Sequence, residues 1–134
     1  MENLLARIGP LSHALLRIVA GLLFACHGAQ KLFGVLGGFG GNAGATAPLF
    51  TLMWIGGVIE LVGGLLVALG VRASLAAFVC SGQMAVAYFM FHQPKGPLPI
   101  QNGGELAALY AFVFLFLAAK GPGPLALERG ASRS

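Results

Sequence analysis

Glu60 stands in the middle of a long apolar stretch, Pro48 to Gly70, with no other charge inside it. A carboxylate there can accept hydrogen bonds and exchange protons. Held in hydrocarbon it costs about 2.5–3.5 kcal/mol on insertion scales, so it demands a partner. Partners are at hand in the other apolar stretches. Leu11 to Leu36 carries His13, Arg17, His27, Gln30 and Lys31; Ala73 to His92 carries Gln83, Tyr88 and His92; Glu105 opens a fourth stretch just after Asn102. Imidazole and ammonium groups donate hydrogen bonds to carbonyl oxygens, amides orient polar rings, and carboxylates relay protons. His27, Lys31, Glu60 and Glu105 are therefore the candidate catalytic residues. Arg17, Gln30, Gln83, Tyr88, His92 and Asn102 are the candidate ligand-binding residues.

Plainer roles compete for each of these. Arg17 and Lys31 lie within reach of opposite interfaces and can snorkel. Glu60 can serve as a purely structural ion-pair partner of Arg17 or Lys31, and His92 borders a Pro-rich loop as a surface histidine would. His27 and His92 at similar depth would suit a bis-histidine haem, and together with Glu105 a metal, but no local spacing motif specifies either. The run GGFGGNAG from Gly37 to Gly44 shares only its glycine content with a phosphate-binding loop and lacks the G-K-[ST] ending. No metal or flavin is therefore expected.

The elements that must position these residues follow from the apolar runs. Four stretches, about 11–36, 48–70, 73–92 and 105–120, each approach the ~20 residues that span a bilayer core as helix. Pro10 and Pro48 sit where helices would begin and Gly70 where one would end. Lipid-facing strands could not satisfy their backbone, and strict alternation is absent, so an all-α four-helix up-down transmembrane bundle is expected. At 100° per residue, Gly56, Gly57, Gly63 and Gly64 fall within about 60° of Glu60, which gives that helix a glycine-lined face around its carboxylate. On the first helix His13, Arg17, Phe24, His27 and Lys31 share a sector of roughly 80°, the matching face. The polar groups thus converge at the end bearing the two longer loops.

Composition agrees with a membrane domain. Of the 134 residues 57% are hydrophobic and only 9% charged, against about 25% charged in an ordinary soluble domain, and the mean hydropathy is +0.86. One domain, 1–134, is expected to be the whole chain. The formal charge of +4 and pI of 9.6 do not imply nucleic acid, because the basic residues are scattered singly. They read as topology determinants: Arg7, Arg17, Arg72, Lys120, Arg129 and Arg133 share one side after four crossings, against Lys31 and Lys95 on the other. Both termini are then cytoplasmic, with the first segment retained as an anchor in the inner membrane. Cys26 and Cys80 make no C-x-x-C pair and read as small apolar fillers.

The segments RIVAGLLFACHGAQKLFG (Arg17 to Gly34), GGVIELVGGLLVALG (Gly56 to Gly70), NGGELAALY (Asn102 to Tyr110) and GPGPLALE (Gly121 to Glu128) together resemble the DoxX family of small membrane proteins. The likeness covers nearly the whole chain. It departs at the tail, where the family often has Trp-Ser-Leu-Asp and this chain has Leu125, Ala126, Leu127 and Glu128. It implies a four-helix membrane bundle and a link to membrane redox assemblies, the family being named after a subunit of a thiosulfate:quinone oxidoreductase. Carried over by position, Arg17, His27, Gln30, Lys31, Glu60, Asn102 and Glu105 are the motif residues. The expected function is a membrane redox component, a quinone-linked oxidoreductase subunit that binds a quinone or similar amphipathic ligand, with a soluble redox protein as partner. The competing expectation is a non-catalytic membrane anchor for such a partner.

Overall fold

The computed structural model describes residues 1–128. Arg129 and Arg133, two of the expected topology determinants, lie outside them. Among the described residues there are helices, turns and loops but no strand. The chain forms α1 (Glu2–Phe33), α2 (Leu52–Leu69), α3 (Ala73–Ala87), a single turn α4 (Pro99–Asn102) and α5 (Glu105–Lys120). A π-helical turn, Tyr88–His92, and a 3-10 turn, Gln93–Lys95, carry α3 onward without a break. Three spans are long and apolar enough to cross a membrane: α1, α2 and α3 continued to Lys95. At 1.5 Å per residue, the 16 residues of α5 reach about 24 Å.

Helix boundaries depart from expectation where proline was read as a start. Pro10 lies inside α1, not at its head. The bond it cannot make frees only the carbonyl of Ala6, and residues 1–10 are all exposed, so that carbonyl has an outside partner available. Pro48 also precedes its helix: Thr51 is the cap of α2, accepting from the Trp54 backbone N–H at 3.3 Å while its hydroxyl donates to the Pro48 carbonyl at 2.6 Å. α1 stops at Phe33, not Leu36, because Gly34 takes φ 67° and returns its N–H to the Gln30 carbonyl.

α1 and α2 lie against each other backbone to backbone. A Cβ on Gly21 would sit 2.6 Å from the Gly64 carbonyl oxygen, and one on Gly28 would sit 2.6 Å from that of Gly57. As one number rises by seven the other falls by seven, so the two helices are antiparallel with glycine facing glycine at two successive levels. On the other side α3 packs on α5, where the Ser81 hydroxyl donates to the Ala111 carbonyl at 2.7 Å. Phe24 of α1 closes the core between the two pairs, with ring centroids 4.7 Å from Phe114 and 5.2 Å from Tyr110. Cys80, Val67 and Ala77 fill it, fully buried.

Candidate functional site

The close approach of α1 and α2 determines what Glu60 can reach. It is the ninth of the 18 residues of α2 and only 1% exposed. Lys31, in the last turn of α1, lies over the glycine at position 57, so its stem runs along α2 for one turn. Its Nζ donates to Glu60 Oε1 at 2.6 Å, the one ion pair among the described residues. Gln83 of α3 donates its Nε2 to the same oxygen at 3.0 Å. Three helices therefore meet on one carboxylate. Its second oxygen, Oε2, and Gln83 Oε1 are buried without a partner.

These three side chains line a cavity of about 1050 Å³ between α1, α2, α3 and α5. Phe24, Ile59, Met84 and Leu106 give it apolar walls, and His27, His92 and Lys95 add polar groups. The loop after α1 contributes Phe39 and is tied down by the Ala47 N–H, which donates to the Lys31 carbonyl at 2.7 Å. An apolar chamber with few convergent polar groups is the usual build of a small-molecule site.

Residues 12–93, which carry α1 from Ser12 onward, α2, α3 and all three members of this polar set, match the family model described as DoxX. The chain belongs to the DoxX family. It is also 42% identical over 130 residues to an uncharacterized protein of Haemophilus influenzae, with 94% of this chain and 95% of that protein covered. No solved structure matches it.

The ten candidate residues of this DoxX chain separate into five places. Lys31, Glu60 and Gln83 come together as described, and His27 lies nearby, exposed, its ring 6.4 Å from Tyr110 in an edge contact. Tyr88, His92 and Asn102 form a second cluster that organises the loop between α3 and α5. Asn102, 4% exposed, donates to the Tyr88 hydroxyl at 3.2 Å and the Gly96 carbonyl at 3.0 Å, and accepts from the Gly104 N–H at 2.8 Å. His92 Nδ1 lies 3.3 Å from the Asn102 carbonyl oxygen. Gln30 turns away to the Leu36 carbonyl at 2.7 Å, and Glu105 is exposed at the start of α5 and does not line the cavity. Among the described residues no three His, Cys, Asp or Glu side chains are grouped to hold a metal.

Arg17 belongs to the fifth place. Fourteen residues before Lys31 on the same helix, it is about 21 Å along the axis from it, and of the two cations weighed as partners for Glu60 the structure selects Lys31. Arg17 is fully buried and donates to the carbonyls of Pro122, Pro124 (3.2 Å) and Leu125 (2.9 Å). The tail that supplies them is docked in turn: the Leu127 and Glu128 N–H groups donate to the Leu69 and Gly70 carbonyls, each at 3.0 Å, and Glu128 Oε2 accepts from the Arg72 N–H at 2.6 Å. Sequence reasoning missed this arrangement. The signal was present in G-P-G-P, where two prolines hold an extended backbone whose carbonyls have no helical partner.

Proposed function

We propose that the protein is a membrane redox component whose cavity holds a quinone or a similar amphipathic ring. What carries this reading is a fully buried, partnered carboxylate on the wall of an otherwise apolar chamber of about 1050 Å³. Such a pair is weak as a device for stability, since apolar residues of similar volume often do as well or better. Lys31 donates to a ring oxygen with the protons that Glu60 does not take, and Gln83 fixes the carboxylate. Phe24, Ile59, Met84 and Leu106 flank the ring. Glu60 is the group able to hold a proton inside the chamber. Glu105 and Gln30, expected to act beside it, have no part here because of where they lie. Electrons pass to or from a separate substrate or a soluble redox protein, in keeping with the family's link to redox assemblies.

We also propose four crossings of the inner membrane, with α5 as the short fourth span and both termini cytoplasmic. The excess of Arg7, Arg17, Arg72 and Lys120 over Lys31 and Lys95 supports this orientation. A helix shorter than the bilayer is accommodated by local thinning at modest cost.

The test of the ligand is the Lys31→Met/Glu60→Leu double variant, which removes both charges while keeping volume. Purified from membranes, the wild type is expected to carry bound quinone on solvent extraction and the double variant at least tenfold less. A folded double variant with the wild-type quinone content would leave the site without a ligand role and favour the anchor reading.

A further inference from the structure

We infer that the site favours the reduced, hydroxyl-bearing form of its ring ligand, a hydroquinone, over the quinone. The inference rests on the quinone-binding reading and follows from which polar atoms lack partners. Glu60 Oε1 takes both protein donors, Lys31 Nζ at 2.6 Å and Gln83 Nε2 at 3.0 Å. Glu60 Oε2 and Gln83 Oε1 are buried and receive none. The Gln83 amide is fixed in this sense, because turning it over would set its oxygen against the carboxylate. Both unpartnered atoms are therefore acceptors, and a ligand can satisfy them only with a donor.

A quinone has no donor. Its carbonyl oxygens can accept from Lys31, but they leave both acceptors as they were and place a further oxygen beside the carboxylate. A hydroquinone hydroxyl donates one hydrogen and still accepts another. One hydroxyl can accept from Lys31 while donating to Glu60 Oε2 or Gln83 Oε1, so the reduced ring makes every bond the oxidised ring makes and one more. Sites whose buried polar groups are left unpaired discriminate strongly against the analogue that lacks the matching group. Glu60 and Gln83 both line the cavity, and their unpartnered oxygens lie just beneath its wall, so a donor reaches them when one of these two side chains turns toward the ligand.

The experiment uses the full chain in lipid nanodiscs under anaerobic conditions, titrated calorimetrically with decylubiquinone, decylubiquinol and the quinol with both hydroxyls methylated. The quinol is expected to bind at least tenfold more tightly than either of the others. That ratio places the midpoint potential of the bound couple about 30 mV above that of the free couple. In Glu60→Gln the amide oxygen takes the Lys31 and Gln83 donors and its NH2 replaces Oε2, which leaves Gln83 Oε1 as the one unpartnered acceptor, so the preference for quinol should fall at least threefold. Quinone or methylated quinol binding as tightly as quinol would overturn the inference while leaving the quinone reading in place. No binding of any of the three would overturn both. An unchanged preference in Glu60→Gln would also overturn it, and if that variant does not fold the three wild-type titrations decide alone.

Discussion

At the scale of single residues, Glu60 is held by one donor from each neighbouring helix, and the balance of charge there is tight. Breaking a buried pair by removing one member leaves the other uncompensated and costs about 3–5 kcal/mol. Lys31 keeps 22% of its side chain exposed, so Lys31→Met should fall near the lower end, about 3 kcal/mol. Glu60→Leu alone leaves Lys31 free to swing outward and should cost less. The double variant should lie close to wild type, and thermal unfolding of all three in detergent measures the ordering; a double variant less stable than either single one would show that the pair stabilises the bundle. Glu60 and its partner face were legible in the sequence because charge within an apolar run cannot be ignored. Its choice of Lys31 over Arg17 was not, because both cations share the angle, Glu60 stands mid-helix between their depths, and only the register of α1 on α2 decides which is level with it.

At the scale of elements, α1 and α2 are joined through glycines, which lets the short reach from Lys31 to Glu60 close. The glycine face was visible in the spacing of Gly56, Gly57, Gly63 and Gly64, whereas the register of Gly21 on Gly64 and Gly28 on Gly57 required the fold. The same substitution should have opposite signs at two places on α1. Gly28→Ala puts a methyl into the backbone of α2 and should destabilise by about 1–3 kcal/mol. Gly9→Ala meets nothing within 4 Å and should gain about 0.5–1 kcal/mol. Melting temperatures of the two variants decide this, and equal shifts would mean that the contact is softer than described. Proline misled the reading of helix starts at Pro10 and Pro48, since local preference gives way where the freed carbonyl is exposed or where a better cap lies three residues on.

At the scale of the whole molecule, the two polar places occupy opposite ends of the bundle. Lys31, Glu60 and Gln83 lie towards the end with the long loops, and Arg17 towards the end with the α2–α3 turn and the tail. The proposed orientation predicts that alkaline phosphatase fused at position 44 or 96 is active and fused after Glu128 inactive, with a cytoplasmic fluorescent reporter giving the reverse. Activity after Glu128 would invert the orientation or remove a crossing. Apolar runs announced the helices from sequence, but the docking of Leu127 and Glu128 on Leu69 and Gly70 did not show, because backbone-to-backbone bonds leave no residue signature.

The Arg17 arrangement bears on how the chain is made. Its carbonyl partners lie 105 to 108 residues downstream, so until they are made the Arg17 guanidinium has none of the partners that bury it in the fold. Only when residues 122–125 have been translated can their carbonyls solvate that charge within the fold. A product that terminates early keeps an unanswered cation in its first helix, a mark by which proteolytic surveillance could tell an unfinished copy from a finished one.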